Sequence, residues 1–236
     1  HFSRTPSSAG NRKVWTYSVW LKRTDFGDRS FLQAYDGGSS RRFQLSFNSN
    51  DQINFNQGGN SSSGVANTYM RFRDPTAWYH IVAAANYNED SSANRIKIYV
   101  NGSQTDLNIT DSIENADGLL NNNIEHEIGA IGSSSVVFDG YMADINFIDG
   151  AALDPSHFGY TEFQTKVWRP KRFIANGPNN GTVWSTTTNM NTNVFNGNFA
   201  NNFLAQVSNG YYTATTAPFT VKQSLGVITD NGYHWG

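Results

Sequence analysis

Cysteine is absent from the 236 residues, so neither a disulfide framework nor a thiolate metal site is available, and the usual cysteine sign of an oxidising compartment is missing. Charge is also scarce. Lys and Arg number 17 against 19 Asp and Glu, charged residues make up 15% of the chain, and the formal net charge is -2 at pH 7. The basic residues are scattered and form no stripe that could track a phosphate backbone, so nucleic acid is not an expected partner. No apolar run approaches the roughly 20 residues that span a bilayer, and the opening HFSRTPSSAG has no signal-peptide h-region, so no membrane insertion is expected. The abrupt start on HFSRTP and stop on DNGYHWG lead us to expect a segment of a longer polypeptide.

What the chain has in excess is aromatic side chains, at 14%, and glycine, at 21 residues, with abundant Asn, Ser and Thr. Aromatic and β-branched residues pack on pleated surfaces, whereas Gly and Asn tolerate the positive φ of tight turns, so this mixture suits short strands joined by many turns. The length allows one large domain, or a medium one with a smaller companion.

Helical spacing is hard to find, and alternation recurs. VWTYSVWLKR sets Trp15, Tyr17, Val19 and Leu21 on one face, and RFQLSF does the same with Phe43, Leu45 and Phe47. DQINF pairs Ile53 with Phe55, and RIKIYV aligns Ile96, Ile98 and Val100. WYHIVAAANY and IEHEIGAIG read as longer strands, and VVFDGYMADINFIDGAAL is expected to turn Tyr141, Ala143, Ile145 and Phe147 inward. Each strand then has one wet face, the pattern of antiparallel sheets packed as a sandwich. Asp154 and Pro155 in DPSHFG suit the cap and first position of a single helical turn.

Asn101-Gly102 sits between two alternating runs, where both turn residues need positive φ, and predicts a hairpin. The same NGS matches the glycosylation pattern, as do the triplets at Asn60, Asn108 and Asn180. After KVWRPKRF the chain becomes rich in Asn, Thr and Gly. The reading is an all-β chain: an antiparallel jelly-roll β-sandwich over 1–172, a linker over 173–181, and a smaller β-rich unit over 182–236.

Three landmarks in fixed order, WTYSVWLKR, WYHIVAAANYNEDSSANRIKIYVNG and FDGYMADINFIDGAALDP, resemble the laminin-G-like/pentraxin group of concanavalin A-like lectin/glucanase modules. A narrower resemblance joins SRTPSSAGNRKVWTYSVWLKR, YMADINFIDGAALDPSHFG and VWRPKRF to the lectin-like module of marine bacteriophage tail fibres and other virion appendages. There a small β region with a TVWS-type strand and an AFNG-type turn commonly follows, matched here by GTVWSTT and VFNGNF; the latter turn also resembles discoidin-like carbohydrate-binding modules. The family layout has a first strand before HFSRTP, so the sheet edge must be completed by other residues or closed differently.

The resemblance covers enzymes too, and their strand motif of alternating carboxylates has its nearest counterpart in IEHEIG, where Glu125 and Glu127 flank His126. The central and downstream acids of that motif are missing, so no catalytic residue is assigned. His80 reads as a packed strand histidine, His1, His157 and His234 lie at an end or in apparent loops, and no phosphate-cradling Gly-rich stretch precedes a helix. For cofactors the resemblance implies calcium at the sandwich rim, with Asp36, Asp139 and Asp144 as candidate ligands and Asp111, Glu114 and Asp117 as further loop acids. Asp139-Gly140 is explained equally well as a turn.

Sugars are held by an aromatic ring against the apolar pyranose face with polar groups around it, and the loops YDGGSSRR and NQGGNSSSGVANTY offer Tyr35, Arg41, Arg42 and Tyr69. The ordinary alternative for each is a solvated loop residue. The expectation is a non-enzymatic virion module of a phage tail fibre or appendage, binding a host surface glycan or receptor and touching other virion proteins. A homo-oligomer, such as a trimer, fits an appendage. A purely structural capsid decoration or connector, marked by an exposed apolar patch, and a glycan-cleaving enzyme, marked by facing carboxyls, are the alternatives.

Overall fold

The alternation becomes strand pairing in the computed structural model, which describes residues 2–37, 42–58, 63–131 and 136–173 together with the backbone of 182–183. The first strands are β1 (Phe2–Arg4), β2 (Val14–Arg23), β3 (Arg29–Tyr35), β4 (Arg42–Phe47), β5 (Ile53–Gln57), β6 (Gly64–Thr68) and β7 (Tyr79–Asn86). A four-residue helix, α1 (Ser92–Arg95), precedes β8 (Ile96–Val100), β9 (Ser103–Gln104), β10 (Leu107–Asp111), β11 (Glu125–Ile128), β12 (Ala130–Ile131) and β13 (Val136–Val137). The last are β14 (Gly140–Asp149), β15 (Gly159–Thr161), β16 (Trp168–Pro170) and β17 (Thr182–Val183). Arg41, Asn60, Asn180, residues 174–181 of the expected linker, and the smaller unit apart from the backbone of β17 lie outside the described residues.

Two antiparallel sheets make the sandwich. One has seven strands in the order β1-β11-β3-β4-β5-β6-β10, the other six in the order β17-β14-β2-β7-β8-β9. The edge that the family pattern closes with an earlier strand is closed here by β1, paired with β11. Because successive side chains point to opposite faces, Trp15, Tyr17, Val19 and Leu21 of β2 all enter the gap and are fully buried. Trp15 lies parallel to Phe55 at 5.9 Å and edge-on to Phe43 at 5.3 Å, which ties the two sheets through one ring cluster. Burial of each such side chain contributes roughly 2–3 kcal/mol.

Buried arginines fasten the loops at the sandwich ends. The Arg23 guanidinium is fully buried, donates to Asp51 at 3.2 Å and to the Phe72 carbonyl at 2.8 Å, and lies 4.1 Å over the Phe47 ring. Arg95, at the end of α1, donates to Asp111 at 2.9 Å and to the Glu89 and Asp90 carbonyls at 2.7 and 2.8 Å. Glu114 also pairs with Arg95, at 3.3 Å, and Asp117 lies 3.8 Å from Arg12, so the three loop acids considered for calcium all have cationic partners.

Three expectations change. The outer face of the six-stranded sheet is not wet around Val82 and Ile148, because Ala151, Phe158 and Phe173 pack over it as a second apolar cluster. Thr16 on that face donates to the Ala151 carbonyl and accepts from the Leu153 N–H, both at 2.7 Å. In β14 the inward alternation does not run unbroken from Tyr141, because the register against β2 shifts between Ala143 and Asn146 and Asp144 takes a left-handed φ of 48°. One extra residue reverses facing on its far side, so Ile145 and Phe147 point inward as expected, while Met142 packs on the core and Tyr141 is 61% exposed. The strand read from IEHEIGAIG likewise divides at Gly129, leaving β11 in the large sheet and β12 paired with β13. The expected turn at Pro155–His157 forms as a 3-10 turn, and the Asp154 side chain accepts from the Ser156 N–H at 2.8 Å.

Candidate functional site

The Asn101-Gly102 turn forms as read, with φ of 48° and 85°, and it also builds the floor of a cleft. Asn101 returns two hydrogen bonds to β7: its N–H donates to the His80 carbonyl at 2.9 Å, and its side-chain oxygen accepts from the His80 N–H at 2.8 Å. That amide oxygen is therefore occupied by the fold. Gly102 lets the Trp168 ring lie directly on the turn, since a Cβ there would come within 2.5 Å of the indole; at Gly159 the corresponding distance is 2.4 Å. The β15–β16 hairpin is thus clamped to the β8–β9 hairpin by one ring between two glycines. We predict that Gly102→Ala destabilises the chain by about 2–4 kcal/mol, through the left-handed backbone and the displaced indole, and that it shifts Trp168 fluorescence in the folded protein.

His80 anchors the same ring from below. The Trp168 indole N–H, which can only donate, points at His80 Nδ1 at 2.9 Å, so Nδ1 is unprotonated. The ring proton then sits on Nε2 and is donated to Ser18 Oγ, also at 2.9 Å. Burial holds the imidazole neutral and pushes its pKa down to about 4. Trp20 stacks on the other side at 4.9 Å. A Ser-His pair at this distance has the spacing of a nucleophile and its base, but an Nε2 that already carries the proton cannot take one from Ser18.

Above this pillar lies an open cleft of about 590 Å³, lined by Trp20, Trp78 and Trp168 with Asn101, Ser103 and Thr161 among its polar groups. Lys166 and Arg169 from the β15–β16 hairpin also line it. Trp78 is 41% exposed, and Tyr141 stands 6.4 Å from its ring, brought to the outer face by the facing reversal at the Asp144 bulge. Rings with polar neighbours in a concave surface match what a pyranose needs: flat apolar contact on one face and donors and acceptors around the hydroxyls.

The residues singled out from sequence lie elsewhere. Tyr35 and Arg42 are direct cross-strand partners at one end of the seven-stranded sheet, beside Asp36. Tyr69 is 65% exposed at the opposite end, about 20 Å away by strand rise, so these three do not share one site. Asp139 is fastened to Thr24, whose hydroxyl donates to it at 2.6 Å. Asp144 is five residues further along β14 in the bulge, where burial raises its pKa. Asp36, Asp139 and Asp144 are not brought together, and among the described residues no three His, Asp or Glu side chains cluster as metal ligands.

Glu125 is exposed, whereas Glu127 is buried and accepts from the Gln33 amide at 2.5 Å. His126 between them is also buried; Nδ1 donates to the Ile124 carbonyl and Nε2 accepts from the Asn121 N–H, fixing a neutral ring with its pKa pushed down to about 4 by burial.

Sequence reading missed the tryptophans. One signal was available: in VWTYSVWLKR, Trp20 falls on the parity of Ser18, the face opposite the core, where a large ring needs a reason. Trp78 and Trp168 carried none, because the first precedes its strand and the second depends on a hairpin docking from far along the chain.

Residues 3–156 match the model of a family described as the concanavalin A-like lectin/glucanases superfamily. No curated protein matches the chain. Among solved structures, similarity is found to a heptameric SAP-like pentraxin from Limulus polyphemus, at 16% identity and a TM-score of 0.45, covering 64% of this chain and 70% of that one. The LG4-5 domains of mouse laminin α1 align at 14% identity and a TM-score of 0.46, covering 74% of this chain and 46% of that one. Domain 4 of the arabinanase AbnA from Geobacillus stearothermophilus, solved with arabinotriose, aligns at 16% identity and a TM-score of 0.46, covering 65% and 68%.

Proposed function

Because the chain belongs to the concanavalin A-like lectin/glucanase superfamily, we propose that it is a non-catalytic carbohydrate-binding module of a phage tail fibre or other virion appendage, attaching the particle to a host surface glycan or receptor. The observation that carries this reading is the cleft lined by Trp20, Trp78 and Trp168, with Asn101, Ser103 and Thr161 around it. Superfamily membership alone does not select a ligand, since one sandwich serves many functions, so the reading rests on the cleft. The virion setting rests on the resemblance of SRTPSSAGNRKVWTYSVWLKR and VWRPKRF to phage appendage modules.

The non-catalytic part has support in the same geometry. Glu127 is buried against Gln33 while Glu125 faces solvent, an arrangement unlike two carboxyls flanking one glycosidic bond. A shallow cleft of this kind binds each sugar weakly, and the appendage would gain strength by presenting several copies at high effective concentration, as in a homotrimer. A structural decoration role is the second reading, favoured by exposed Tyr160, Phe163 and Val167 on the β15–β16 hairpin, which suit contact with another virion protein.

The test is a glycan array and host-cell binding assay of the whole chain, with and without a calcium chelator and with products checked by mass spectrometry. Saturable binding without released sugar is expected. Chelator sensitivity would support a part for calcium in binding. Absence of binding to every glycan and cell favours the decoration role, and released sugar overturns the non-catalytic assignment.

A further inference from the structure

Given that the tryptophan cleft holds a glycan, we propose that it takes an anionic saccharide, one bearing a carboxylate or sulfate, and that Lys166 sets this preference. The rings by themselves do not choose a charge sign in this direction: an indole face attracts cations, and three tryptophans would equally suit a quaternary ammonium group. The charged residues decide. Among the described residues, those lining the cleft are Lys166 and Arg169, with no acidic side chain. A cationic ligand would be repelled, and an anionic one would meet two positive groups beside an aromatic floor.

The two cations are not equivalent. Arg169 directs its Nε and Nη2 to Glu162 Oε2 at 3.2 and 3.1 Å, so much of its charge is already answered within the hairpin. The same oxygen also receives the Thr165 hydroxyl, which leaves Glu162 committed to holding the hairpin. Lys166 has no carboxylate within ion-pairing distance among the described residues; its ammonium sits 4.4 Å over the exposed Phe163 ring. A ring contact of that kind restrains the chain without neutralising it.

The backbone adds an independent observation. Lys166 has a φ of 58°, a left-handed conformation that glycine or asparagine holds with less strain. The turn around it is closed by two backbone bonds, Lys166 N–H to the Glu162 carbonyl and Glu162 N–H to the Val167 carbonyl, both at 2.9 Å, and by the side chains of Thr165 and Glu162; the Lys166 ammonium makes none of these bonds. Nothing in the turn therefore requires lysine. What the side chain adds at this strained position is a positive charge in the cleft lining with no carboxylate partner among the described residues.

The test is an array carrying each of a set of hexose oligosaccharides in neutral, uronate and sulfated form, read with the whole chain at about 50 mM and about 500 mM salt. At low salt at least one acidic form is expected to bind about five- to ten-fold more tightly than its neutral counterpart, with the advantage shrinking at high salt. Lys166→Gln is expected to cut that advantage to about two-fold or less with the melting temperature in place, and Lys166→Arg to retain it. Preference for the uronate series identifies a carboxylate ligand, and preference for the sulfated series a sulfate. Equal binding of neutral and acidic forms overturns the anionic preference but leaves glycan binding standing; no binding in any series overturns both.

Discussion

Acidification from pH 7 to pH 4 is expected to remove roughly 6 kcal/mol of folding stability, about 3 kcal/mol from each of two buried histidines. His80 and His126 are 1% and 0% exposed, and burial lowers each pKa from 6.5 to about 4. The hydrogen bonds explain why neither ring accepts a proton in place: His80 Nδ1 faces the Trp168 indole N–H and His126 Nε2 faces the Asn121 N–H, so a second ring proton would oppose a donor in each case. As the folded pKa lies below the unfolded one, the unfolded chain binds protons first. Stability is complete above about pH 6.5, falls between 6.5 and 4, and levels off below that for these two groups.

Asp144 and Asp149 work in the opposite sense, because burial raises their pKa values and protonation on acidification relieves them. They offset part of the loss near the lower end of the window. Urea melts at pH 7, 6, 5 and 4 should show a midpoint that falls steadily, and His126→Gln should roughly halve the slope. A midpoint unchanged between pH 7 and 4.5 would contradict the neutral tautomers assigned to both rings. Because His80 holds Trp168, loss of Trp168 fluorescence contrast should accompany the transition.

The second large effect is expected at Asp51, where Asp51→Ala should destabilise the chain by about 3–5 kcal/mol. Asp51 receives Arg23 at 3.2 Å, Arg73 at 2.9 Å and the Gly27 N–H at 3.2 Å. Burial alone would raise its pKa, but these bonds and the Arg23 charge outweigh it and hold the carboxyl below its ordinary value. Its removal leaves the fully buried Arg23 guanidinium with two carbonyls, the Phe47 face and the Asp25 carboxylate, which already pairs with Arg29, as its remaining negative neighbour. At about 2–4 °C per kcal/mol for a chain of this size, the melting temperature should drop by roughly 6–20 °C. Asp51 also has a left-handed φ of 62°, so Asp51→Asn, which tolerates that backbone, separates the charge from the strain. Recovery of part of the loss by adding Arg23→Met would identify the stranded charge as the cause; a single Asp51→Ala variant melting within a few degrees of the parent would refute it.

The sandwich was legible because its strands obey a period of two: the parity of Trp15, Tyr17, Val19 and Leu21 gives the inner face of β2 directly, and Asn101-Gly102 marks its turn by backbone need. The bulge at Asp144 was not legible, since the extra residue that reverses facing in β14 has no composition signature beyond an aspartate that tolerates positive φ. The same limit hid the cleft. Its walls come from β2, the segment before β7, the β8–β9 turn and a hairpin more than fifty residues later, and no local pattern encodes the docking of Trp168 between Gly102 and Gly159. Loops rich in polar residues drew the reading toward Tyr35, Arg42 and Tyr69, because polarity is visible in a sequence and concavity is not.

Glycan titration of the parent chain beside Trp78→Ala shows whether the tryptophan cleft holds the sugar. Trp78 is 41% exposed, so its removal should leave the fold and the melting temperature close to those of the parent, while the loss of its ring should weaken binding at least about ten-fold. A saturable isotherm for the parent that Trp78→Ala largely abolishes, in a protein that still melts cooperatively, is the result this structure predicts. Binding of equal strength in both proteins would place the ligand away from the tryptophan cleft and contradict the account.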